Sequence, residues 1–215
     1  MQINFVPADY CKDIIIGAAR IDENDDIAGG KTGDQKQMGI PDKEGEVSMC
    51  ELPKEGIWEV FRLEKTEFAN RLANTMKTAC NNSNIGYDQG NRLDIIKKGV
   101  NSLSKTSCDC SSLVRACLEE TTGKKLDNFT THNAGRVFDR CGLFEKKKVV
   151  NLKDLQKDGT TKENKSKYVG LDDTSDKNET KEYALVKKDD KRIFKGDILL
   201  KKGQHIAIVV EGPSR

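Results

Sequence analysis

Apolar and polar residues alternate from Gly56 to Leu63 (GIWEVFRL), which predicts a strand. From Thr66 the spacing lengthens to a helical period. Phe68, Leu72, Met76 and Ala79 form the stripe, Ala69, Ala73 and Cys80 widen it, and the polar run Asn81–Asn84 ends it. The next segment, IGYDQGNRLDIIKKGV, begins as a turn and continues through Leu93, Ile96 and Val100 as a short helix. Cys110, Leu113, Val114, Cys117 and Leu118 make the complete inward stripe of a third helix, with Gly123 as its stop. A fourth helix carries Ala134, Val137, Phe138 and Cys141 and ends at Gly142. LFEKKKVVNL reads as a strand. The chain closes on three strand-like runs separated by turn residues: YALVKK, GDILLKKG and HIAIVVEG.

Two stretches carry little apolar weight. Residues 17–45 are rich in Gly, Asp and Lys and read as a long loop with room for short strand pieces. Residues near 152–181 read as a solvated insertion. Helices followed by an antiparallel meander predict an α+β fold, with N-terminal helices packed on a C-terminal antiparallel sheet. The 215 residues suit one domain: a loop-rich extension with strands over 1–63, then a core over 64–215.

Composition narrows the function classes. A formal charge of +2, with lysines and acids interspersed, describes a solvated surface and not a nucleic-acid stripe. No apolar run approaches the roughly 18 residues of a membrane helix. The first twenty residues lack the pattern of a secretory signal, so synthesis in a cytoplasm is expected, with any later exit by another route. Seven cysteines, an odd number, argue against a disulfide framework. With two histidines, no Cys-x-x-Cys pair and only Cys108-x-Cys110 close-set, no structural metal and no cofactor are expected.

Cys80, Cys117 and Cys141 sit on apolar stripes and read as core residues. Cys110 differs by its place. Asp109 is a favoured N-cap and Ser111 and Ser112 follow, so Cys110 takes the first helical position. There the helix dipole is expected to lower the thiol pKa, and the free N–H groups to bind an oxyanion. A nucleophile needs a base. His132 falls in the first turn of the fourth helix, where the dipole disfavours imidazolium. His205 opens the core strand HIAIVV and is the expected base.

DCSSLV, followed about ninety residues later by GDILLKKGQHIAIVV, resembles the NlpC/P60 peptidases of bacterial cell walls, papain-like enzymes related to the CHAP amidases. The likeness spans roughly Ile85 to Glu211. AARIDENDDIAGGKTGDQ and GYDQGNR are similar to segments of endolysins from phages of gut Gram-positive bacteria. The resemblance implies a papain-like fold and a peptidoglycan hydrolase, with Cys110 attacking a wall peptide or amide and His205 moving the proton. It implies that Asp109, Ser111 and Tyr87 hold the free amine of a stem peptide, with Asp88 and Gln89 lining the same cleft. It also implies action on the wall after release, and a separate wall-binding module outside this chain.

The sequence departs from that family in three ways. Ser112 replaces the usual Gly, and Cys108 is not part of the pattern; it reads as an inert neighbour or a redox lock on Cys110. No polar residue soon after His205 can orient its ring. Glu211, six residues on, is about 20 Å away along a strand, which leaves another strand or the segment Gly33–Gln35 as the source. Two other functions fit a Cys–His pair or a Cys-rich chain: a papain-like deamidase or transferase toxin acting on a protein, and a non-enzymatic binding module.

Overall fold

A computed structural model of the chain describes residues 14–20, 46–53, 56–145, 148–151 and 193–214. The polar stretch near 152–181, the run YALVKK and the segment Gly33–Gln35 lie outside the described residues.

The last strand, β8 (His205–Glu211), is buried along most of its length, and its two faces enter different cores. Strands apolar on both faces belong in the middle of a sheet. β8 lies between β1 (Ile15–Ala19) and β7 (Ile198–Lys201) in a six-stranded antiparallel sheet. β2 (Val47–Glu51) pairs outside β1, while β3 (Ile57–Phe61) follows β7 and β6 (Lys148–Asn151) closes that edge.

The fold is α+β with an antiparallel sheet, as expected, and that sheet draws on more of the chain than its C-terminal strands. Three of its six strands come from the first 61 residues. The loop read from Gly17 begins inside β1, and β2 was not foreseen. Small residues hid β1: Gly17, Ala18 and Ala19 carry little apolar signal, yet Gly17 faces Met76 and Cys80 so closely that a Cβ there would press on the Met76 side chain.

The helices match their periodicity. α1 (Thr66–Cys80) buries Ala69, Leu72, Ala73, Met76, Ala79 and Cys80. α3 (Cys110–Thr122) ends at Gly123 in the left-handed conformation, and α4 (Ala134–Cys141) ends the same way at Gly142. α1 and α3 pack on each other and on the face of β8 that carries Ile206, Ile208 and Val210. Edge-to-face rings tie α4 to the sheet: Phe138 lies 5.0 Å from Phe61 and 5.1 Å from Phe129. Among the described residues no helix is long and apolar enough to cross a membrane.

The GDILL run is a structural keystone. Gly196 has φ 86°, and a Cβ there would collide with the Ala69 backbone. Asp197 is 1% exposed and receives the Arg62 guanidinium through two bonds, Nε to Oδ1 at 2.9 Å and Nη2 to Oδ2 at 2.7 Å. This pair joins the end of β3 to the start of β7.

Candidate active site

A short parallel pair builds one wall of the site. β4 (Ile85–Tyr87) and β5 (Thr106–Cys108) are joined by a crossover through α2 (Asp94–Lys98), and the register sets Tyr87 opposite Cys108. Asp88 N donates to the Cys108 carbonyl at 2.9 Å. Residues 87–89 are thereby laid beside Asp109 and Cys110, twenty residues on in sequence.

α3 begins at Cys110 behind a capping box. Asp109 Oδ1 accepts from Ser112 N at 2.6 Å, and the Asp109 N–H donates to Ser112 Oγ at 2.9 Å. Ser112, which stands where the NlpC/P60 pattern has glycine, closes this box. The Cys110 sulfur, partly buried, faces the N–H of Ile206 on β8 and has the Ser111 hydroxyl at 3.9 Å. The nucleophile candidate therefore meets β8 at the peptide that follows His205.

The thiol is not acidified as expected. Burial pushes the Cys110 pKa above its ordinary value and the Asp109 carboxylate adds to the rise; the Ser111 hydroxyl and the N–H of Ile206 only partly offset them. Helix position favours thiolate, but a sulfur removed from water beside a carboxylate is more stable protonated. Cys108 is fully buried with a pKa pushed well up, mainly by burial, which fits a packing residue.

His205 shares a parity with Ala207 and Val209, which face the second core, and is paired across strands with Lys201. Its Nε2 is buried and has no hydrogen-bond partner among the described residues. Burial lowers the imidazole to about 4, and the positive charges of Arg20 and Lys201 push the same way. Thiol and imidazole flank the same backbone step, 205–206, with no bond between them among the described contacts, and both are neutral at neutral pH.

His132 lies in the turn before α4, not in its first turn; Asn133 is the N-cap. Its exposed ring lies over Gly203, where a Cβ would come within 3.1 Å of Cε1, and Gly203 N donates to the Thr131 carbonyl. Both histidines therefore stand at the β7–β8 turn.

The expected amine-binding residues divide. Tyr87 is 4% exposed, its hydroxyl accepts from Gln89 Nε2 at 2.7 Å, and burial raises its pKa, with Cys110 and Asp109 contributing. Tyr87, Gln89, Asp109, Cys110 and Ser111 thus lie together. Asp88 turns away: its carboxylate accepts from Gly90 N, Asn91 N and Asn91 Nδ2, closing the turn. Asp109 is already occupied by the cap and by Arg92, with Nη1 at 2.8 Å from Oδ2.

Sequence reading missed Arg92, Glu46 and Arg20. Glu46, 1% exposed, accepts the Tyr87 N–H on Oε2, and its carbonyl accepts the Arg20 N–H. Their partners are 41 and 26 residues away in sequence (87 − 46 and 46 − 20), beyond any local pattern.

The His205 shift has a stability consequence. Between pH about 6.5 and about 4 the unfolded chain binds a proton at this position that the folded chain excludes. Stability therefore rises with pH across that window and is lost as pH falls through it. The contribution is up to about 3 kcal/mol, less where solvent reaches the ring. Urea titrations of wild type and His205→Gln should diverge across this range, with the variant showing the shallower slope. Parallel slopes would mean the ring stays hydrated.

A family model described as an endolysin-like domain matches residues 16–178, a span that holds Arg20, Tyr87, Arg92 and Cys110 and ends before His205. No curated protein and no solved structure matches the chain.

Proposed function

The chain belongs to the endolysin-like domain family, and from that premise we propose that it hydrolyses a peptide or amide bond of bacterial peptidoglycan, with Cys110 as nucleophile and His205 as general base. One observation carries this reading: the Cys110 sulfur stands at a capped helix start against the N–H that follows His205.

Because both groups rest neutral, the chemistry starts as general-base catalysis and not from a standing ion pair. His205 rests on the second-core face, so for it to act as base its ring must swing about the first residue of the strand toward the thiol; it then takes the proton as sulfur bonds to the carbonyl carbon. Free N–H groups at the start of α3 receive the developing oxyanion. The C–N bond then breaks, the proton passes to the departing amine, and water hydrolyses the thioester. Lys201, whose charge helps depress His205 at rest, offers an edge for a stem-peptide carboxylate. A carboxylate bound there would raise the basicity of the imidazole. Tyr87, Gln89 and Ser111 line the approach, and Asp109 acts chiefly by holding the helix start.

The test is digestion of purified sacculi from several bacteria, followed by turbidity and by mass spectrometry of released fragments. The expected products carry a new carboxylate and a new amine, either at one stem-peptide bond or at the amide that joins the stem to the glycan. Intact stems with cut glycan strands, or no release from any wall, would overturn the proposal.

A further inference from the structure

The Arg92 guanidinium joins three segments that are distant in sequence. Nη1 holds both Asp109 oxygens, at 3.0 and 2.8 Å, while Nη2 donates to Asn128 Oδ1 at 2.8 Å and to the Phe129 carbonyl at 2.9 Å. The Arg92 and Asp109 side chains are only 15% and 12% exposed, so little water competes for these bonds. Phe129 itself is 1% exposed and locked against Phe138, so its carbonyl is a fixed point. Two residues on, the Thr131 carbonyl accepts from Gly203 in the turn that precedes His205.

We infer that Arg92 is a positioning residue that sets the Cys110 sulfur against β8 and, through the segment 128–131, aligns it with the His205 turn. The geometry needs a planar fork. Arg92 reaches two oxygens of one carboxylate and two further acceptors on another segment, which a single ammonium cannot reproduce. The guanidinium also offsets the Asp109 charge, which otherwise weighs on the thiol. Among the described residues, the groups that bear on that thiol include Tyr87 from β4, Cys108 from β5, Asp109 and Ser111 at the start of α3, and the backbone of Ile206 from β8.

The inference rests on the proposed role of Cys110, so its test includes a reading that needs no wall substrate. That reading is the pH profile of iodoacetamide alkylation at Cys110, followed by peptide mass spectrometry in the full chain. Arg92→Ala should move the alkylation midpoint to higher pH. Where sacculi are cleaved, it should also lower kcat by about 10- to 100-fold, the scale expected when a reacting group is displaced by around 1 Å, with KM nearly constant. Arg92→Lys keeps the charge and loses the fork, so it should restore most of the alkylation profile but little of kcat; it serves also if the alanine variant does not fold. Asp109→Asn keeps a cap and removes the charge. Combined with Arg92→Ala it should show strong non-additivity, because both act through one contact. A folded Arg92→Ala with wild-type alkylation profile and kcat would overturn the inference, as would full rescue of kcat by lysine or strict additivity of the pair. If no wall is cleaved by the wild type, the alkylation cycle still decides the positioning role while the proposed function fails by itself.

Discussion

Cys110→Ala is expected to lose wall cleavage by at least about a thousandfold, because the proposed acyl intermediate forms on its sulfur. The protein stays folded: the side chain is only partly buried, and the capping box that starts α3 belongs to Asp109 and Ser112. Cys117→Ala is the matched control. That sulfur is fully buried on the same helix, so its loss costs about 1 kcal/mol by leaving a small cavity while cleavage persists. His205→Ala should abolish cleavage as Cys110→Ala does, yet leave the raised alkylation midpoint of Cys110 where it was, since no ion pair exists at rest to be lost. Rates of fragment release, melting curves and alkylation profiles of the three variants check this set. Cleavage that survives in His205→Ala and disappears in His132→Ala would move the base to the exposed ring on the other side of the β7–β8 turn.

Asp197→Ala is expected to remove about 3 to 5 kcal/mol of stability, the scale for deleting one partner of a buried ion pair. The substitution leaves Arg62, itself 4% exposed and stacked 4.5 Å from the Phe194 ring centre, without its two carboxylate contacts. It also removes the acceptor of the Phe194 N–H, on Asp197 Oδ2 at 2.9 Å. Asp197→Asn, isosteric and still able to accept one hydrogen bond, should cost less. Urea midpoints at constant slope measure both. A loss under about 1 kcal/mol for the alanine variant would mean water replaces the carboxylate at no great cost. Because β7 leads directly into the His205 turn, both variants are also expected to lose cleavage in proportion to the population unfolded, not by a change of pH profile.

Much of the helical architecture was legible in the residues themselves. The stripes of α1, α3 and α4 and the glycines that end α3 and α4 obey local rules, because a helix satisfies its hydrogen bonds within a few residues and displays its buried face at a fixed period. The capped start of α3 was readable for the same reason: Asp109 and Ser112 are three residues apart. The pairing of Cys110 with His205 was read from the histidine's place at the start of a core strand and from the likeness of two separated motifs; the structure sets the sulfur near the N–H of Ile206.

Tertiary structure decided the rest. β1 and β2 enter the sheet beside β8 although their own residues are small or mixed, since a strand's partners are chosen by the whole sheet and not by its neighbours in sequence. The thiol's protonation was misjudged for a related reason. A helix start is visible in sequence, whereas burial against β8 and the nearness of a carboxylate are not, and desolvation outweighs the hydrogen bonds around the sulfur. No local pattern marks Arg92 as a positioning residue. Only folding brings its fork to Asp109, Asn128 and Phe129, across 17, 36 and 37 residues, because contact between distant segments is set by packing and leaves no periodic mark on the chain.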